Sequence, residues 1–292
     1  MIRSLASRLS FAGPAFHCPP APLLLPSRRA LHASNSLHQY AQDSTMSQTT
    51  GQKAVAAQQV NANGEVQLDG YDPEQVRLME EMCILVDGDD KVVGFDTKKN
   101  THIMANIEKG LLHRAFSVFL FNHENKLLLQ QRADEKITFP GYWTNTCCSH
   151  PLAKKDELNG VQGATTAAIR KLDHELGITE VAAPEMQFLT RIHYLAPSDA
   201  TWGEHEVDYI FIAKKDKNVA LHPSPNEVKA TRYVTPDELR ALFVEAEKRP
   251  NEVKLTPWFR LICENFLFDW WKHLEAGTLT KCAEVDKIHK MV

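Results

Sequence analysis

The sequence predicts an α/β (α+β) fold, a mixed β-sheet flanked by helices. Three observations predict it. Apolar runs of strand length at 82–86, 115–122 and 126–131 are separated by the turn signals Asp87-Gly88-Asp89 and His123-Glu124-Asn125, which mark hairpins. Between 164 and 176, Ala168, Leu172 and Leu176 recur at four-residue spacing, the period of one helix face. Strands and helices are interspersed along the chain. With hairpins present, that pattern suits a mixed sheet better than a doubly wound parallel one.

Taken in order, residues 1–45 stand apart. They hold Arg3, Arg8, Arg28 and Arg29, many small and apolar residues, and no acidic residue before Asp43. That is the composition of an organelle transit peptide; a plain disordered tail is the blander alternative. Met46 offers an internal start. The product is expected to be cytoplasmic if made from Met46, and mitochondrial or in another organelle if the leader is used. Residues 46–70, rich in Gln, Asn and Ala, read as a linker with little to bury. The folded part, 71–292, is expected to begin near Tyr71. Asp72-Pro73-Glu74 opens a short helix with Pro in its first turn. The strand at 82–86 returns through 91–95. The strands at 115–122 and 126–131 form a hairpin inside a sheet. The helix at 164–176 ends at Gly177, which can adopt the left-handed cap. Strands follow at 186–194 and 204–214. Thr235-Pro236-Asp237-Glu238 caps a helix running to about 247. Thr256 and Pro257 start a last helix over 258–274, rich in Trp and Phe.

The chain has 292 residues and a formal net charge of -4. The slight acidity argues against a general nucleic-acid binder. The longest apolar runs, such as 116–121, are too short to span a bilayer. Of six cysteines, Cys18 lies in the leader, and Cys147 and Cys148 are neighbours. The remaining five cannot all pair, which favours reduced thiols.

The densest chemistry lies in the stretch from Phe139 to Pro151, where Cys147, Cys148, Ser149 and His150 follow a Pro140-Gly141 turn signal. It reads as an ordered loop or short edge strand presenting reactive side chains. A metal site, a nucleophile and an acid/base thiol all fit it; a zinc finger does not, because no second ligand pair follows at finger spacing. Further on, alternation puts Glu204, Glu206 and Asp208 on one strand face, continued by Ile210 and Ile212. Carboxylates side by side on a partly buried face repel unless a cation or a proton lies among them, a solvated edge being the plainer alternative. With His102, His113 and His150 they would make a mononuclear site for a divalent ion such as zinc, manganese or iron. Lys98, Lys99, Arg114, Arg132 and Lys136 could hold phosphate. Trp258 could line an apolar pocket or stabilise a cation.

Four motifs carry a family resemblance: Gly110 to Val118, Leu129-Gln130-Gln131-Arg132, Thr144 to Pro151, and Trp202-Gly203-Glu204-His205-Glu206. Over about 80–271 they resemble the type I isopentenyl-diphosphate delta-isomerases, which have the Nudix fold; the Nudix core would span about 111–262. The Nudix box is degraded here. Arg170, Leu172, Glu175, Gly177 and Ile178 match it. Lys171 and His174 stand where two of its glutamates belong, and Asp156 and Gln162 replace its first glycine and glutamate. Hydrolysis needs those carboxylates to gather metal, so a nucleotide pyrophosphohydrolase is the weaker alternative. A non-enzymatic Nudix-like ligand sensor is another.

The resemblance implies an isomerase that interconverts isopentenyl and dimethylallyl diphosphate through a carbocation, in isoprenoid and sterol biosynthesis. It implies that His102, His113, His150, Glu204 and Glu206 bind an inner divalent ion (Mg2+, Mn2+ or Zn2+). Glu175 would hold, with the diphosphate, a Mg2+. Lys98, Arg132, Lys136 and Ser149 would bind substrate, with Lys171 assisting. Cys148 and Glu206 would be the catalytic pair, Tyr194 a hydrogen-bond partner of Glu206, and Trp258 the aromatic face toward the cation. The expected partner is a small allylic or homoallylic diphosphate, with no nucleic acid, no membrane span and a monomeric chain.

Overall fold

The computed structural model describes residues 65–292. The leader and most of the linker lie outside the described residues. Packing is already present at Val66, which is buried with Met79, Ile137 and Trp202. Helix α1 (Pro73–Leu78) forms because Asp72 caps it: Oδ1 accepts from the backbone N–H of Glu74 at 2.8 Å and of Gln75 at 3.2 Å.

Strands β1 (Met82–Val86) and β2 (Val92–Thr97) pair as the expected hairpin. Its turn is tied down by Asp90, whose carboxylate accepts from Arg114 Nε at 2.8 Å. Two short helices, α2 (Lys98–His102) and α3 (Met104–Ile107), lead into β3 (His113–Phe121). Every residue of β3 is buried. One edge of β3 pairs in parallel with β8 (Gly203–Lys214), from His113 opposite Glu206 to Phe121 opposite Lys214. Its other edge is shared by β1 at the start, β6 (Cys147–Ser149) in the middle and β4 (Leu127–Arg132) at the end.

That sharing changes the expected hairpin of β3 and β4. The two strands pair only at Phe121 opposite Leu127. The Thr146 side chain sits between them; its hydroxyl accepts from Leu120 N at 2.8 Å and donates to Leu128 O at 2.6 Å. Strand β4 instead pairs with β5 (Trp143–Thr144) and β9 (Val228–Val234). The main sheet runs β10 (Ile288–Lys290), β7 (Gln187–Pro197), β8, β3, β1, β2, with β10 parallel to β7.

Helix α4 (Gly160–Leu176) covers one face. Its Ala164, Ala168, Leu172 and Leu176 pack with Phe116, Val118 and Leu120 of β3 and Val207, Tyr209 and Phe211 of β8. Full burial of each such leucine is worth about 1.5–3 kcal/mol. Gly177 ends the helix at φ 63°, as its position predicts. Helix α5 (Pro236–Lys248) starts with the expected capping box of Thr235 and Glu238. It packs on the opposite face with the last helical run. That run is not one regular helix: α6 (Pro257–Ile262) and α7 (Phe268–Glu275) are joined by a π-helical turn, Cys263–Leu267. No helix among the described residues is long and apolar enough to cross a membrane.

Candidate functional site

The alternation of β8 holds. Val207, Tyr209 and Phe211 face α4, while Ile210 and Ile212 face α5 to α7. Glu204, Glu206 and Asp208 share the face of Ile210 and Ile212 by period, and all three are buried. The parallel register sets His113 beside Glu206. Helix α2 supplies His102, and the residue after β6 is His150.

The three imidazoles form a triangle, their ring centroids 4.8, 4.9 and 4.8 Å apart. His102 Nδ1 donates to the Lys98 carbonyl at 2.7 Å, leaving Nε2 with a lone pair. That Nε2 faces Glu204 Oε2 at 2.8 Å. Glu206 Oε1 lies 2.8 Å from His150 Nε2 and 3.3 Å from His113 Nε2. Ligand atoms from His102, His113, His150, Glu204 and Glu206 lie within 4.8 Å of one another. His102 Nε2, His113 Nε2 and Glu204 Oε2 are buried with no hydrogen-bond partner. Buried lone pairs aimed at one another are stable only around a cation or a proton. Burial pushes the His113 pKa down against the raising pull of Glu206. Burial, with His113, His102 and Lys98 nearby, holds His150 well below its ordinary value. Neutral imidazoles and carboxylates are the donor set of a divalent metal ion, and these residues fit one.

Asp208 differs from its two neighbours. Burial, and then the charge of Glu206, raises its carboxyl well above the ordinary range, and Ser117 donates to it at 2.8 Å. A raised carboxyl at Asp208 eases the repulsion expected among three carboxylates, because it gives up its proton less readily than its neighbours.

Glu206 Oε2 faces away from the histidines toward a cleft. There it accepts from the Tyr194 hydroxyl at 2.5 Å. Burial alone would raise Glu206, but His113, Glu204 and Tyr194 outweigh it and hold its pKa below the usual carboxylate range. Tyr194 is pushed well above its own ordinary value, by burial first and then by Glu206, so it stays a donor. The cleft has a void of about 380 Å³, its open mouth included. It brings together Lys98, Arg132, Lys136, Cys148, Ser149, Glu175, Tyr194, Glu206 and Trp258 with His102, His150 and Glu204. His113 stands behind the cleft, within the histidine and carboxylate cluster; Lys99, Arg114 and Lys171 do not line the cleft either, Arg114 pairing instead with Asp90 at 2.8 Å.

The β6 pleat separates the two cysteines. Cys147 is in the core under α4, whereas Cys148 packs toward Trp258 and lines the cleft. Cys148 Sγ has Thr144 Oγ1 at 3.9 Å, and dehydration pushes its thiol up to about 12. Thr144 meets Thr256 at 2.8 Å and donates to Asn145 at 2.9 Å; Asn145 in turn accepts from Trp258 Nε1 at 3.3 Å. This chain of hydrogen bonds orients the indole. Phe139 stands edge-on to Trp258 at 5.1 Å, and Tyr194 lies 6.1 Å away. Arg132 is fixed by the loop that follows it, donating to Thr138 O at 2.8 Å and Phe139 O at 3.1 Å. At the other end, Glu175 is bridged by Lys171 at 3.2 Å and accepts from Gln130 at 3.1 Å.

Sequence reasoning missed three contributors. Glu227 pairs with Lys136 at 2.6 Å. Glu157 accepts from Arg170 at 2.6 Å and from Leu152 N at 2.7 Å, which holds the chain after His150. The Thr144, Asn145 and Thr256 network is the third. Only the last had a signal, since Thr144 and Asn145 lie in the stretch singled out.

A NUDIX domain model matches residues 111–259. The chain is 56% identical over 231 residues to Isopentenyl-diphosphate Delta-isomerase 1 of Bos taurus, covering 78% of this chain and 99% of that one. It is 50% identical to an isopentenyl-diphosphate delta-isomerase of Gibberella zeae, covering 85% and 100%. Against that of Schizosaccharomyces pombe the identity is 55%, covering 71% and 91%.

Proposed function

The chain belongs to the isopentenyl-diphosphate delta-isomerases within the NUDIX domain family, and from that membership we propose how its cleft moves a double bond. It is an isomerase of isopentenyl diphosphate, and isoprenoid synthesis is where that product is used. The reaction adds one proton to the terminal alkene carbon, giving a tertiary carbocation. It removes one proton from the carbon nearer the diphosphate, giving dimethylallyl diphosphate. Atoms and charge balance with no other reactant.

Cys148 and Glu206 are the acid/base pair. The observation that carries this is one cleft, open at a cationic end, lined by a protonated thiol and a hydrogen-bonded carboxylate. Two groups held against a small hydrocarbon convert a slow encounter into a local proton transfer. Tyr194 keeps Glu206 aimed. The indole of Trp258 offers a cation an electron-rich face that does not attack it, and Phe139 with Trp258 keeps water away. Arg132, Lys136, Lys98 and Ser149 take the diphosphate, with Lys171 near them. The inner ion (Mg2+, Mn2+ or Zn2+) would be held by His102, His113, His150, Glu204 and Glu206. Bound there, it would fix the Glu206 carboxylate and lower its basicity. Glu175 would share a Mg2+ with the diphosphate.

Incubating the purified protein with isopentenyl diphosphate and magnesium tests the reading. Dimethylallyl diphosphate should accumulate without phosphate release. Release of phosphate instead would make the protein a hydrolase and overturn the proposal.

A further inference from the structure

Glu227 precedes β9 and is 3% exposed. Both of its carboxylate oxygens are engaged. Oε2 accepts from Lys136 Nζ at 2.6 Å, and Oε1 accepts from the Gln75 side-chain amide at 3.2 Å. Lys136 is itself buried and faces cations from three other elements: Lys98 of α2, Arg132 at the end of β4 and Lys171 of α4. Lys98 and Lys171 also face Glu227. Glu81 and His174 are near enough to act on Lys171 and on each other. Glu227 thus stands among three lysines at the cationic end of the cleft, where another buried carboxylate, Glu175, pairs with Lys171 at 3.2 Å.

Helix α1 holds that carboxylate. The same Gln75 Nε2 lies 2.6 Å from Asn226 Oδ1 and 3.1 Å from Asn226 O, its two N–H groups being shared among these and Glu227, and Asn226 donates to the capping Asp72 at 2.8 Å. Just beyond α1, the carbonyls of Met79 and Glu81 accept from Lys99 N at 2.9 Å and Lys98 N at 2.7 Å. The same segment therefore grips Glu227 at one end and the start of α2, with Lys98, at the other.

An ammonium buried beside other cations sheds its proton unless an anion offsets them. A neutral amine would no longer attract a diphosphate. We propose that Glu227 is the positioning residue that keeps Lys136 charged and aimed into the cleft, and that α1 holds Glu227 through Gln75. This rests on the reading of the cationic end as the diphosphate site. Even with Glu227 in place, burial draws Lys136 down to about 8.

The test is calorimetric binding of inorganic pyrophosphate to the full-length, magnesium-loaded protein, from mildly acid to mildly alkaline pH. The ratio of variant to wild-type Kd cancels the titration of the ligand. Wild type should lose affinity as pH rises through about 8. Glu227→Gln should bind equally well or more tightly at acid pH, where Lys136 is charged regardless. Its loss of affinity should begin about one to two pH units lower, so near pH 8 it should be about fivefold weaker or more. Gln75→Ala should move the same limb in the same direction by less, and its outcome decides the matter if Glu227→Gln proves unfolded by its Tm. A Kd ratio that does not change with pH makes Glu227 merely structural and overturns the inference. Failure of wild type to bind pyrophosphate at any pH overturns the diphosphate reading itself, and this inference with it.

Discussion

Replacing Tyr194 with phenylalanine removes one oxygen from the centre of the cleft and little else. The ring is buried and packs among Leu189, Ile192 and Trp258, so phenylalanine fills the same space. What is lost is the 2.5 Å hydrogen bond to Glu206 Oε2. That oxygen points away from the histidines, and among the described residues no other side-chain hydrogen bond to it is seen. A hydrogen bond to a charged group contributes about 1.5–3 kcal/mol. If the bond holds Glu206 in its reacting position throughout the proton transfer, turnover should fall about 10- to 150-fold. KM for isopentenyl diphosphate should change little, because in the proposed reading the diphosphate is taken by Arg132 and Lys136 rather than by Tyr194. The assay is conversion to dimethylallyl diphosphate at saturating substrate, with bound metal measured on the same samples. Tm separates the effect from instability, since each kcal/mol shifts it by only about 2–4 °C in a domain of this size. A kcat within twofold of wild type, with metal content unchanged, would refute the claim that Tyr194 aims Glu206.

Cys148→Ala and Glu206→Gln should each abolish isomerisation in a folded protein; near-normal turnover in either, measured by product formation, counts against the acid/base pair. Stripping divalent ions with a chelator should lower Tm, and restoring an ion at a hundred times its Kd should return about 2.7 kcal/mol; in His102→Ala that gain should shrink. Gly177→Ala should cost more than about 2 kcal/mol in denaturant unfolding, because the backbone is left-handed there and an added Cβ would stand 2.6 Å from His222 Cβ. Alkylation of Cys148 should be slow at neutral pH and keep accelerating well above pH 9, since the reactive thiolate forms only near 12. The unfolded chain would shed that proton first, so the group's contribution to stability is intact below about 9 and declines as pH rises beyond it.

Local patterns made much of this molecule legible. The two-residue period of β8 placed Glu204, Glu206 and Asp208 on one buried face, and the cap of α5 was read from Thr235 and Glu238 alone. Residue chemistry alone suggested grouping the histidines with the carboxylates, and motif resemblance gave the individual roles, because nothing local ties His102 to Glu204. What escaped is non-local or weakly patterned. Strand β9 alternates apolar and polar side chains too loosely to declare itself, being half covered. Strand β10 is a three-residue segment that exists only because β7 offers it an edge. The parting of β3 and β4 depends on the Thr146 hydroxyl entering between them, a contact between residues 18 and 26 positions apart. Nothing local in the sequence singles out Glu227. Its significance comes from Lys136 and Gln75, which lie 91 and 152 residues away in sequence.

The side-by-side run of β3 and β8 joins segments on either side of α4 and β7, and His113 meets Glu206 only when that register is complete. Long-range parallel pairing closes slowly, because a large loop must be ordered before any contact rewards it. The capacity to bind a divalent ion should therefore appear at the end of refolding. An ion added at the start would find scattered histidines and carboxylates; added at the end, it would find a finished cage. Uptake of metal during renaturation thus becomes a stopwatch for the final assembly of the sheet.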